Sequence, residues 1–155
     1  MPREKGAPPQ VTPKKLDDYL EAMTKSAFQS GISWDVIYAK WPGFTEAFNG
    51  FDIAHVASLT PHDVETLMQD ARIVRNRAKI EATVHNAQAI IDTDAEFKGF
   101  RKYLRSFGDY EALVKNMRKR FKFLGDSGAY IFLYTVKEKV PEYQQWREAH
   151  PMKKR

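Results

Sequence analysis

Five basic side chains, Lys115, Arg118, Lys119, Arg120 and Lys122, crowd the stretch LVKNMRKRFKFLGDSGAYIFLY, which then turns through Gly125, Asp126 and Ser127. A glycine and small polar residues at the start of a helix leave backbone N–H groups pointing outward, an arrangement that holds a phosphate oxygen. The long cations beside it add an attraction that salt weakens steeply. The same basic run also suits a solvated helix C-terminus, where it complements the dipole. Asp126 repels an anion unless it is turned aside as a cap. A second constellation is FQSGISWDVIYAK, in which Gln29, Ser30 and Gly31 kink the chain between two apolar segments just ahead of Ile32 and Trp34.

Such groups act only if rigid elements hold them, and the chain reads as helices throughout. TPKKLDDYLEAM offers Thr12 as an N-cap with Pro13 at the first helical position, and TPHDVETLMQD repeats the device with Thr60, Pro61 and Asp63. Ile80, Val84, Ala87 and Ile91 recur at helical spacing. Thr93 is expected to cap a further helix carrying Phe97, Phe100, Tyr103, Leu104 and Phe107. Asp109 is expected to cap another, from Tyr110 to Arg120, and Asp126 or Ser127 to open an apolar helix reaching Lys137. The run Ile131 to Val136 also reads as a strand, but its helical surroundings favour helix. The expected fold class is therefore all-α, one compact bundle with short loops. Within it, LVKNMRKR, the hairpin FKFLG with Phe123 and Leu124 as apolar plugs, and the helix after it have the layout of a helix-hairpin-helix DNA-binding unit.

The 155 residues, 43% of them hydrophobic, suffice for a single core, and 25 Lys and Arg against 20 Asp and Glu favour an anionic partner. The absence of cysteine excludes disulfides, thiolate nucleophiles and Cys-based zinc sites. No run reaches the roughly 20 apolar residues of a bilayer-spanning helix, and the N-terminus lacks a secretory pattern. A cytoplasmic protein without membrane partners is expected, with a disordered lead-in over 1–11, one helical domain over 12–148 and a basic tail over 149–155.

The segments FQSGISWDVIYAK, FDIAHVASLTPHDVETLMQDARIVRNRAKIEATVHNAQAI and KRFKFLG resemble the DNA-3-methyladenine glycosylase I family, base-excision repair enzymes of the helix-hairpin-helix superfamily. The resemblance covers most of residues 14 to 140. It implies a bundle of that type, acting as a monomer on double-stranded DNA and hydrolysing the N-glycosidic bond of a flipped, alkylated purine. It implies that Ile32, with Gln29 and Ser30, plugs the stack, and that Trp34 stacks on the cationic base. Lys122, Gly125, Asp126, Ser127, Arg118, Lys119 and Arg120 would hold the phosphate.

The chain departs from that family in its pocket. Ser26 stands where the family has its pocket glutamate, so one hydrogen bond replaces a charge, with Gln29 a turn further on as another polar group. The family's N-terminal aromatic and its Cys/His zinc site have no counterparts, so no metal and no cofactor are expected. Superfamily relatives that remove neutral bases carry an aspartate beyond the hairpin. Glu142 is the acid nearest that distance and the candidate catalytic group. Three readings stay open: a glycosylase, a lesion-recognition module that kept the DNA grip without catalysis, and a helical protein-interaction domain.

Overall fold

The computed structural model describes residues 9–151, which form nine α-helices with no strand among them. In chain order these are α1 (Leu16–Gln29), α2 (Trp34–Ala47), α3 (Ile53–Ala57), α4 (Pro61–Leu67), α5 (Arg77–Phe97), α6 (Phe100–Leu104), α7 (Tyr110–Arg120), α8 (Asp126–Thr135) and α9 (Tyr143–Ala149). A single 3-10 turn, Asn49–Phe51, joins α2 to α3. No helix among the described residues is long and apolar enough to cross a membrane. Of the expected lead-in and tail, residues 1–8 and 152–155 lie outside the described residues. Gln10 and Val11 are tied to the end of α8, through Tyr134 O and Thr135 O, each at 2.8 Å.

Local capping chemistry sets several boundaries. Thr60 and Asp63 exchange hydrogen bonds at the start of α4, and Asp109 Oδ1 accepts from Ala112 N at 2.7 Å at the start of α7. Two starts differ from expectation. The first helix begins at Leu16 and not behind Thr12, because the Asp18 carboxylate reaches back to Lys14 N (2.8 Å) and Lys15 N (3.3 Å). Thr93 caps nothing: α5 runs through it for 21 residues. Its buried hydroxyl accepts from Arg120 Nη1 at 3.1 Å. The break comes at Lys98 and Gly99, both at positive φ, where Asp94 O and Oδ1 receive the N–H groups of Gly99 and Phe100.

The long helix α5 is the spine, packed against α1, α3 and α6. Around it Leu20, Met23, Phe28, Ile37, Phe44, Phe48, Ile80, Ile90, Tyr103 and Phe132 are fully buried. Trp41 belongs to this core, stacked on Phe44 at 4.9 Å and Phe51 at 5.2 Å, with its indole N–H on Glu21 Oε2 at 2.9 Å. Gly43 of α2 admits the backbone of Arg72, whose oxygen would lie 2.5 Å from any added Cβ. These contacts leave the ends of α1, α7 and α9 and the start of α8 facing one cleft.

Candidate nucleic-acid interface

The kink after α1 is built by a glycine and a lysine. Gly31 takes φ +80°, which a side chain would strain, and Ile32 N closes the turn on Gln29 O at 2.8 Å. Ser33 then caps α2, its hydroxyl accepting from Val36 N at 3.3 Å, so that Trp34 opens the next helix. Beneath the turn, Lys79 of α5 donates to Phe28 O at 2.9 Å and Ser30 O at 2.6 Å. These are carbonyls that the end of α1 leaves without helical partners. Burial pushes the Lys79 ammonium below the usual lysine range. Among the described residues it is the charged side chain that is buried.

Two side chains of α5 hold the hairpin between α7 and α8. Asn86 pairs with the backbone of Lys122 in both directions, accepting its N–H at 2.8 Å and donating to its carbonyl at 3.0 Å. His85 Nε2 meets Arg120 O at 3.0 Å. Phe121 and Leu124 are buried as anchors. Phe123 is no internal plug: it sits at φ +57° and is 44% exposed, a conformation that is costly for a bulky residue and turns the ring outward. Gly125 precedes α8 without a side-chain cap, which leaves the first N–H groups of that helix available to an anion.

The turn after α1 and the hairpin meet across a cleft of about 630 Å³. Ser26, Gln29 and Ser30 line it from α1 and its turn, Arg118, Phe123, Gly125, Asp126 and Ser127 from the hairpin side. Arg147 and His150 line it from the end of α9. Ser26 is 1% exposed and its hydroxyl makes no hydrogen bond. Gln29 Nε2 turns back to Ser26 O at 3.2 Å. The acid in this lining, Asp126, is paired with Arg118 at 3.1 Å. A groove of about 790 Å³ elsewhere, lined by Leu104, Tyr110 and Val140, is larger but contains no residue of that turn or of the hairpin. Size alone therefore does not identify the site.

The other expected site residues lie outside that lining. Trp34 is half-buried, its ring 6.0 Å from that of Tyr38, and Ile32 packs against the core edge. Lys119 and Lys122 are exposed on the hairpin side. Arg120 turns away from the hairpin, bonded to Asn116 at 2.8 Å and Glu96 at 3.0 Å and lying over the rings of Phe97 and Tyr103. Its guanidinium is thus committed to joining α7 to α5. Glu142 is the N-cap of α9, accepting from Gln144 N at 2.9 Å and Gln145 N at 3.1 Å. Those amides hold its carboxyl below the usual glutamate range and engage both of its oxygens at the start of α9. Sequence reasoning missed Arg147 and His150, since nothing local to WREAH marks a cleft wall. It also missed Lys79, whose partners lie about fifty residues away.

A helical bundle in which a hairpin presenting helix amides faces the turn after α1 has the fold of the helix-hairpin-helix DNA glycosylases. Residues 11–127 match the family model for methyladenine glycosylase. The chain is 31% identical over 146 residues to DNA-3-methyladenine glycosylase 1 of Escherichia coli, covering 81% of this chain and 76% of that protein. The crystal structure of a 3-methyladenine DNA glycosylase I superposes with a TM-score of 0.72 at 27% identity, over 81% of both chains. A variant of such an enzyme in complex with 3-methyladenine also gives 0.72, at 26% identity, over 84% of this chain and 80% of that one. This chain belongs to the methyladenine glycosylase family, DNA glycosylases that hydrolyse N-glycosyl bonds in base-excision repair.

Proposed function

We propose that this protein flips an alkylated purine out of double-stranded DNA into the cleft beside Ser26 and hydrolyses its N-glycosidic bond, acting as a monomer in the cytoplasm. The observation that carries the reading is the Ser26 hydroxyl, buried and without a partner where the plug turn faces the hairpin. A buried polar group left unpaired is costly, and a base edge supplies the missing hydrogen bond. Ile32 wedges into the stack with Gln29 and Ser30 beside it, and the amides from Gly125 to Ser127 take a backbone phosphate. Trp34 supplies the stacking face on the plug side and Phe123 an outward ring on the hairpin side.

The chemistry asks little of an acid. A purine alkylated on a ring nitrogen carries positive charge, and breaking its bond to C1′ releases it as a neutral molecule with no proton delivered to it. Water adds to C1′ and gives up its proton to solvent. Binding energy that favours the flipped geometry then supplies rate, in keeping with a cleft whose carboxylate is already paired. Glu142, engaged as a helix cap, takes no part.

The test is release of free 3-methyladenine and 7-methylguanine from methylated duplex DNA by the native protein, Trp34→Ala and Ser26→Glu. Release by the native protein that is lost in Trp34→Ala supports the reading. Native protein that binds DNA yet releases no base would instead make the chain a lesion-recognition module, the more so if Ser26→Glu gained activity.

A further inference from the structure

We propose that Lys79 is the positioning residue of the stack plug, holding Gln29 to Ile32 in the conformation that enters the DNA; this rests on the plug role given to that turn above. Its ammonium joins two carbonyls on either side of Gln29, Phe28 O at 2.9 Å and Ser30 O at 2.6 Å. One belongs to the last turn of α1 and the other to the turn itself. The side chain comes from the first turn of α5, where Asn76 caps the helix by accepting from Lys79 N at 3.1 Å. The anchor is therefore the spine of the bundle.

A purely structural role is a poor account of a lysine here. Among the described residues no carboxylate pairs with it, its ring neighbour Phe28 lies 6.0 Å away, and it is 5% exposed. An apolar residue would fill the same space without desolvating a charge. What an apolar residue lacks is the reach of several donors from one point, which fixes two successive parts of a turn at once. Gly31, at φ +80° with nothing within 4 Å of where a Cβ would sit, adds no packing contact to the turn. A free turn would have to be ordered at the moment of insertion, and that cost appears directly as lost affinity for gapped DNA.

The test compares native protein, Lys79→Met and Lys79→Arg by circular dichroism and by binding to two duplexes. One is intact; the other carries a tetrahydrofuran abasic analogue beside 2-aminopurine, whose fluorescence reports entry of the plug. At a temperature where all three are folded, Lys79→Met is expected to bind intact duplex like the native protein. It should bind the abasic duplex about tenfold more weakly, with a diminished 2-aminopurine response. Lys79→Arg, which keeps several donors, should recover part of both. An equal loss on the two duplexes, or native discrimination in Lys79→Met, would overturn the proposal. Should Lys79→Met not fold, native discrimination in Lys79→Gln, which has a shorter reach, would overturn it equally. The readout needs no catalysis, so native protein that shows the fluorescence response but releases no base would refute the glycosylase reading and leave this one standing.

Discussion

Arg118 Nη1 lies 3.1 Å from Asp126 Oδ1, tying the last turn of α7 to the first residue of α8 across the hairpin. The pair neutralises the carboxylate that would otherwise stand unpaired beside the uncapped amides of α8 and keeps a guanidinium at the cleft edge. Asp126→Asn should therefore tighten binding to duplex DNA. Arg118→Ala should weaken it and, by removing a phosphate contact, lower the slope of log affinity against log salt by about one. Titrations at several salt concentrations check both, and an Asp126→Asn variant that binds more weakly than native would refute the arrangement.

Ser26→Ala separates stability from function. The hydroxyl makes no internal hydrogen bond, so its removal should leave the melting temperature unchanged or slightly raised. Excision should fall, because the base loses its partner at the cleft. A large thermal destabilisation would mean that the hydroxyl has a structural partner after all.

Trp34 and Trp41 should behave oppositely. Trp41 is stacked between Phe44 and Phe51 in the core, and Trp41→Ala is expected to cost about 3–5 kcal/mol in denaturant unfolding. Trp34→Ala, at a half-buried helix start, should unfold much closer to native while losing base release.

Phe123→Gly should be at least as stable as the native protein, since glycine adopts φ +57° without strain, and should bind DNA more weakly through loss of the outward ring. Thermal melts and duplex titrations on the same sample decide it.

Glu142→Gln should retain base release, because the residue caps α9 and the amide oxygen still accepts. The pH dependence of stability carries a further signature. Backbone amides hold Glu142 below its usual value of 4.5, as hydrogen bonds to Thr60 and Arg72 do for Asp63 and Asp70. Each is ionised more readily folded than unfolded. Its stabilisation is therefore complete above the ordinary carboxylate range and is lost as pH falls through the lowered value. Melting temperatures should fall on acidification below about 4.5, and less steeply in Glu142→Gln, which has no proton to bind.

What could be read from the residues was whatever local geometry decides. The caps at Thr60 and Asp109 act on N–H groups three residues away, so a short motif contains both partners. The helical class, the hairpin and the kink at Gln29 to Gly31 were legible for the same reason, whereas the roles proposed for Ile32 and Trp34 come from the family pattern alone. Thr93 failed as a cap because its role depends on Arg120, which folding brings in from another helix. Arg120 in turn faces away from the hairpin because Glu96, Phe97 and Tyr103 claim its guanidinium.

By itself, then, the sequence determined the helical class, the starts of α4, α7 and α8 and the hairpin, since those follow from side chains that reach only their own backbone neighbourhood. The tertiary structure decided which basic residues remain free, that Glu142 is a cap, that Arg147 and His150 join the cleft, and that Lys79 holds the turn after α1. Each of those outcomes is settled by competition among partners that only packing brings within a hydrogen bond's length, such as Lys79 and Ser30, 49 residues apart along the chain.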